Sequence, residues 1–587
     1  MILKQNFLVT ILIDLITIFG LSGFANAGQL VYSTYLGESR IYALAVDSNG
    51  NAYITGEANY PDFPVTPGAY DTTYNGGGSV FVTKLNASGS ALVYSTFLGS
   101  MSANCMGLAI DNIGNVYITG LTWSNDFPTT SGAFDTTYNG NGDLVVCKLN
   151  TTGSALIYST YLGGKSSEGY YNVDIVADNS GNAYVTGETY STDFPTTPGA
   201  FDTTLNGQCD IFVSKLNPNG STLLYSTFIG GSNDDIGSGI ALDKDGYIYI
   251  TGYTCSSATF PTTSGAFDTS PNGGMDVVVC KFNPTLSSLI YSTFLGGSGY
   301  DCGPNGTVSI AVNDFGNAYI AGWTESFDFP TTPYVYQRTF GGEGSAFVTK
   351  LNSAGSGLVY STYIGGEAYN KEGDNMALDV AGNVYITGYT DSTAFPITSN
   401  AYTTTFQGGP YDVFISKLNS TGTELLYSTY FGGNQLEYST GIAVDNDGTA
   451  YISGYTESST DFPITTNAFD TIFHGRYNNG FVSKLALVDS SPVASFYGTP
   501  TTGKTPLFVQ FYDTSTGGIP KSWYWTFGDG STSTKQHPGH IYKTCGEYTV
   551  SLTVGNTYGI STAIKNNYVS IPTAVDQPFW LGYDRYK

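Results

Sequence analysis

Gly382-Asn383-Val384-Tyr385-Ile386-Thr387-Gly388 is one of seven near-copies of a single string. The others begin at Gly50, Gly114, Gly181, Gly246, Gly316 and Gly448. In each, a glycine that closes a tight turn leads into a run of apolar, β-branched and aromatic residues, the pattern of a buried strand after a hairpin. Two further strings keep step with it. Tyr-Ser-Thr-aromatic begins at Tyr32, Tyr94, Tyr158, Tyr225, Tyr291, Tyr360 and Tyr427, at intervals of 62 to 69 residues. A Phe-Val-(Thr or Ser)-Lys-Leu string carries Lys84, Lys148, Lys215, Lys281, Lys350, Lys417 and Lys484. Three strings recurring in one order mark seven copies of one structural unit.

Each unit reads as four strands. In the third copy, residues 174–177 form strand one, and Asp178-Asn179-Ser180-Gly181 is a turn in which Asp accepts local N–H groups and Gly takes positive φ. Residues 182–187 form strand two, a long connection follows, and residues 211–216 and 221–229 form strands three and four around Asn217-Pro218-Asn219-Gly220. No segment shows sustained helical periodicity. A lone four-stranded sheet leaves both faces uncovered, and packing units around a ring covers them. The array opens with a strand four alone (29–37) and ends on a strand three without a strand four (481–485). The orphan first strand fits the gap in the last sheet. The expected fold is all-β: a seven-bladed β-propeller over 28–487, closed by its N-terminal strand. An open array of β-units is the alternative, and it explains neither odd end.

The recurring strings, such as 382–388, resemble the SBBP β-propeller repeats of secreted archaeal and bacterial proteins. The resemblance implies an extracellular propeller without an established common catalytic activity. The fifth unit departs most, with Pro333-Tyr334-Val335-Tyr336 in place of Gly-Ala-Phe-Asp.

Composition changes after Val488-Asp489-Ser490-Ser491-Pro492. Tyr548, Val550, Leu552 and Val554 alternate along one strand face. Trp525, Phe527-Gly528-Asp529-Gly530, His540, Tyr542, Gly546-Glu547-Tyr548 and Asn556 resemble the PKD domain, an immunoglobulin-like β-sandwich, over 491–572. Trp525 and Tyr548 are expected in its core. A tail, 573–587, carries no recognised anchor.

The chain has 587 residues, 12% of them charged, and a formal net charge of −26. Such a surface repels phosphate backbones and anionic membranes, so nucleic acid is excluded as a partner. Lys4, an apolar stretch from Phe7 to Leu21 and Ala25-Asn26-Ala27 read as a signal peptide over 1–27, with no membrane insertion after its cleavage. An N-terminal membrane anchor is the competing reading, and Asp14 within the stretch weighs against it. The expected location is secreted or cell surface.

Chemistry-bearing residues are sparse. Three histidines occur, and His474 alone falls within the propeller. Asp234, Asp235 and Asp301 are the best carboxylate candidates for glycan chemistry, against a plain reading as turn acids. Asp243, Asp245, Asp445 and Asp447 place two carboxylates in a tight turn, a weak calcium signal. No other cofactor is expected. The seven strand-three lysines are expected to pack their stems along the strand and pair their heads with an Asp of the long loop. Glycosylation sequons lie at Asn86, Asn150, Asn219, Asn305 and Asn419, four of them in the strand-three to strand-four hairpin. Cys255 and Cys302 should share one face, where an exported protein allows a disulfide.

The strand-two to strand-three loops and the blade-to-blade loops emerge on one face and are the long ones. Tyr74 and Tyr138, each beside Asn-Gly, are candidate ligand contacts there. The leading expectation is a non-catalytic surface scaffold or adhesion protein that binds a glycan or an envelope protein. A secreted carboxylate-dependent glycan-active enzyme and a purely architectural envelope component are the alternatives.

Overall fold

The computed structural model describes residues 28–572, except 77, 101–105, 257, 303–305, 367–369, 488–491, 518–519, 521 and 557–558. The signal peptide, Cys105, Asn305, residues 488–491 and the tail therefore lie outside the described residues. The chain divides into two units, one running from Gly28 to Leu487 and the other beginning at Val488.

The first unit opens with β1 (Gln29–Tyr35), followed by β2 (Ser39–Val46), β3 (Ala52–Ala58), β4 (Ser79–Leu85) and β5 (Leu92–Ser100). Strands β2 to β5 form an antiparallel sheet in chain order. Asp47 builds the β2–β3 turn. Its Oδ1 accepts the N–H groups of Asn49 (3.0 Å) and Asn51 (2.9 Å). Gly50 closes that turn at φ +80°, a conformation a side chain resists.

Among the described residues, the same four-strand sheet recurs six more times. The innermost strands are Met106–Ile110, Glu168–Ala177, Asp235–Leu242, Ser309–Val312, Asn370–Leu378 and Glu437–Val444. The last sheet takes its fourth strand from β1, which pairs antiparallel with Asn479–Ala486 in the register Tyr32↔Lys484 and Tyr35↔Phe481.

Cores form between sheets. Tyr53 on β3 lies in a cluster with Val116 and Ile118 of the next sheet. Tyr451 of the last sheet lies in a cluster with Ile54 and Phe81 of the first. Burying a ring of this size is worth about 2–3 kcal/mol. The tyrosine hydroxyls also cross between sheets: Tyr117 donates to the Gly181 carbonyl and Tyr385 to Gly448, each at 3.1 Å. Tyr451 donates to the Gly50 carbonyl at 3.1 Å, so the last sheet holds the first by the same bond.

In the C-terminal unit, Ser522–Thr526, Gly546–Asn556 and Gly559–Ile571 form one sheet with Thr532–Ser533. Phe496–Thr499, Leu507–Asp513 and Gly539–Tyr542 form another. Trp525, Phe511, Val550 and Leu552 share one buried cluster. Trp525 Nε1 donates to the Lys535 carbonyl at 3.0 Å, which satisfies the one polar atom of a fully buried ring. Among the described residues no helix is long and apolar enough to cross a membrane.

Candidate functional site

The innermost strands line a cavity of about 1280 Å³. Its wall runs from Leu44 in the first sheet through Leu108, Ile310 and Met376 to Ile442 in the last. Antiparallel register sets the rim. In several sheets the start of the innermost strand pairs with the end of the second strand, as in Arg40↔Glu57, Ile236↔Tyr253 and Tyr438↔Tyr455. Side chains from two strand ends therefore crowd one opening, at the end where the long connections leave.

That opening is rich in tyrosine: Tyr42, Tyr171, Tyr253, Tyr389, Tyr438 and Tyr455. Tyr389 and Tyr438 meet edge to face at 4.4 Å, and Tyr438 and Tyr455 lie 5.0 Å apart. Tyr170 and Tyr171 form another edge-to-face pair at 5.2 Å and are about half exposed, at 50% and 46%. The Arg40 guanidinium sits 5.9 Å from the Tyr455 ring.

Among the described residues, Asp174 and Asp234 are the acids lining the cavity wall. Asp174 accepts the N–H of Ile175 at 2.8 Å and that of Ile240, on the next sheet, at 3.0 Å. Burial pushes its carboxyl up to about 6. Glu188, behind the rim, accepts the Tyr171 N–H at 2.7 Å, and burial pushes it up to about 7. Asp174 therefore joins two sheets through its hydrogen bonds, and both its oxygens are engaged.

Several expected sites sit elsewhere. Tyr74 and Tyr138 are half-buried rather than exposed contacts. The Tyr74 hydroxyl donates to the Asn59 carbonyl at 2.7 Å, and its ring packs edge-on to Phe97. Tyr138 packs against Tyr161. Asp234, Asp235 and Asp301 do not converge. Asp234 faces the cavity, while Asp235 and Asp301 are buried between sheets. The calcium candidates are already taken. Asp243 accepts the N–H groups of Asp245 and Tyr247 at 3.0 Å each and the Tyr249 hydroxyl at 3.0 Å. Asp445 repeats this with Asp447, Thr449 and Tyr451, and Asp245 pairs with Lys244.

Six of the seven strand-three lysines pair with the turn acids rather than with the long loops, among them Lys84 with Asp47 at 3.3 Å, Lys281 with Asp243 at 3.5 Å and Lys484 with Asp445 at 3.4 Å. Each also sits over a second-strand tyrosine ring, as Lys148 does over Tyr117 at 4.6 Å. Cys255 and Cys302 are thiols, with no disulfide between them, and Cys302 Sγ lies 3.7 Å from Met275 Sδ. His474 lies 3.2 Å from Asp470 on an exposed loop, and His540 pairs with Asp529 at 2.8 Å while stacked on Phe527.

Of the sequons, Asn219 is exposed, whereas Asn419 is only 8% exposed, because its side chain braces its hairpin through the N–H and hydroxyl of Thr423. Asn86 and Asn150 brace theirs in the same way and are half-buried.

Sequence reasoning missed the tyrosine rim. Its signal is variation inside an otherwise repeated string: the penultimate second-strand residue is Glu57, Leu121, Glu188, Tyr253, Trp323, Tyr389 or Tyr455.

Known families match the two units separately. The Beta-propeller repeat (SBBP) model matches residues 31–64, 93–128, 157–195, 224–257, 359–396 and 426–463. The PKD domain model matches 489–571. Collagenase ColA of Bacillus cereus is 34% identical over 94 residues, covering 16% of this chain and 9% of its own. Microbial collagenase of Vibrio alginolyticus is 39% identical over 67 residues, covering 11% and 8%. The chain thus spans under a tenth of either relative. Kuenenia stuttgartiensis hydrazine synthase overlays at a TM-score of 0.39 with 9% identity, covering 74% of this chain and 96% of that one. The chain thus carries SBBP β-propeller repeats followed by a C-terminal PKD domain.

Proposed function

We propose that this is a non-catalytic extracellular binding protein whose propeller takes a neutral glycan at the tyrosine rim of its central cavity. The observation that carries the reading is the concentration of tyrosines around one opening. Aromatic faces stack on the C–H faces of sugars, and tyrosine hydroxyls meet sugar hydroxyls, so a tyrosine-lined opening suits a polar, uncharged ligand. The net charge of −26 disfavours anionic glycans. Non-catalytic action fits the engagement of Asp174 by two main-chain N–H groups.

A glycan array probed with the purified chain tests this. The Tyr171→Ala/Tyr438→Ala variant is expected to lose about ten-fold or more in affinity for the glycan bound. Tyr74→Phe should bind as the parent does. Absence of any bound glycan, or full binding by the double variant, refutes the reading.

A further inference from the structure

Away from the cavity, the neighbouring sheets meet at buried acids with no visible role. Asp143 begins the third strand of the second sheet, and Glu168 begins the innermost strand of the next. Both are fully buried. Asp143 Oδ2 accepts the Asn139 N–H at 2.7 Å, and Glu168 Oε1 accepts the Thr189 hydroxyl at 3.0 Å. Their other oxygens, Asp143 Oδ1 and Glu168 Oε2, have no hydrogen-bond partner. Those two oxygens lie 2.8 and 2.5 Å from the point a Cβ on Gly163 would occupy, so they share one small space.

The arrangement recurs. Asp412 Oδ1 and Glu437 Oε2 are unpartnered, and lie 3.1 and 2.6 Å from the point of a Cβ on Gly432. Asp276 Oδ1 is unpartnered, and a Cβ on Gly296 would strike both it and Asp301 Oδ2. Asp210 and Asp235 occupy the equivalent places between the third and fourth sheets, but there every carboxylate oxygen is engaged: Asp210 accepts the N–H groups of Asn206 at 2.9 Å and Gly207 at 3.2 Å, and Asp235 accepts the Gly231 N–H at 2.7 Å and the hydroxyls of Ser256 and Thr254.

The chain supplies its own control. In all four pairs the partners are 25 residues apart. The same spacing gives Ser345 with Asn370 at another junction, and Asn479 and Ser39 begin the corresponding strands where the last sheet joins the first. Ser79 has Asn104 at that spacing, outside the described residues. Acids therefore occur as pairs or not at all. Were each only an acceptor for nearby N–H and hydroxyl groups, either would occur alone. Two ionised carboxylates facing each other in a dry junction repel, so a paired design calls for a positive species between them. The surrounding donors are carboxylate and hydroxyl oxygens, without imidazole, which selects a hard cation.

We propose that Asp143–Glu168, Asp276–Asp301 and Asp412–Glu437, the pairs that keep an unpartnered buried oxygen, are divalent-cation sites of the calcium class that fasten neighbouring sheets together. They use residues separate from the turn acids Asp243 and Asp445, and the proposal does not depend on the glycan reading. Burial, reinforced by the facing acid, pushes Glu168 up to about 8 and Asp412 up to about 7 in the cation-free protein, so a proton is the competitor for the same space.

The full chain, stripped with EDTA and held near neutral pH, is titrated with calcium chloride by calorimetry and by equilibrium dialysis. Up to three calcium ions per chain are expected to bind and to raise the melting temperature by about 10 °C. Asp276→Asn/Asp301→Asn is expected to bind one ion fewer, with folding checked by circular dichroism. Asp412→Asn/Glu437→Gln serves if the first variant fails to fold. No calcium binding, or unchanged stoichiometry in a folded variant, overturns the proposal. In the first case a stability that rises on acidification, with no metal effect, assigns the space to a shared proton.

Discussion

Raising the pH of the chelated protein from about 5 to about 7.5 should take away a large part of its stability. The eight junction acids are raised in the folded state: Asp143, Asp210 and Asp301 to about 6, Asp235 and Asp412 to about 7, Glu168 to about 8, and Asp276 and Glu437 also upward. Burial is the largest cause in each. A carboxyl raised in this way binds more protons folded than unfolded. Its stabilisation is therefore complete below the ordinary carboxylate range near 4 and is lost as pH climbs through the folded values. The neighbouring groups do not reverse the sign. Asp135, Asp202, Asp268 and Asp461 add repulsion. Tyr138, Tyr161 and Tyr363, and Tyr35 and Tyr430 beside the last pair, are themselves raised and stay neutral here, as do Cys255 and Cys280 near Asp235. Asp174 and Glu188 act in the same direction. Each retained proton is worth about 1.4 kcal/mol per pH unit. One proton per pair gives about 5–6 kcal/mol per unit just above pH 5, and the slope falls as each pair passes its folded value; over the whole range the loss sums to about 10 kcal/mol, and halving it for relaxation leaves about 5. Against a typical net stability of about 5–15 kcal/mol, that is a third or more of the total. Urea midpoints at several pH values in EDTA measure this directly. A midpoint that stays level or rises with pH refutes the reasoning, and added calcium should flatten the slope.

Three further outcomes are expected. Lys148→Met should cost about 3 kcal/mol by stranding buried Asp111, whereas Lys350→Met should cost about 1, because neutral Asn313 occupies the acid's place; equal losses in urea melts would contradict the pairing. Leu286 holds φ +51° where other hairpins use glycine, as at Gly89 and Gly153, yet its side chain is fully buried. Leu286→Gly relieves about 1 kcal/mol of strain but removes about 2–4 of packing, so chemical denaturation should show net destabilisation, and a gain would overturn that balance. Trp525→Ala should cost about 4 kcal/mol, read as faster hydrogen exchange along 546–556, and unchanged exchange would deny Trp525 its central place in that core.

Much of the architecture was legible because turns and strands repeat. Asp47 and Gly50 announce a turn, and the orphan Tyr32-Ser33-Thr34-Tyr35 announces a strand lacking its sheet. Side-chain partners were harder. By sequence alone the lysines point to the long loops, because those hold acids. Register instead sets Lys84 opposite Tyr53, whose hydroxyl already meets Asp47 six residues back. Tyr74 and Tyr138 stand beside Asn-Gly, which suggests exposure, but both rings pack against neighbouring aromatics. Neither difference touches the fold, since neither residue sets strand order.

The junction acids show why adjacency in sequence misleads in a sheet protein. Asp234 and Asp235 look like a pair, but successive residues at a strand end face opposite ways. Asp234 looks into the cavity and Asp235 toward Asp210, on the sheet before it. The partner that matters is 25 residues upstream, across a third-to-fourth-strand hairpin and a Gly-Gly corner. That spacing is fixed because the two strands and their hairpin keep constant length while the long loops vary from unit to unit. A search for acids at a constant separation, rather than for neighbouring acids, would have found Asp143–Glu168 and Asp412–Glu437 as readily as it finds their neutral counterpart, Ser345–Asn370.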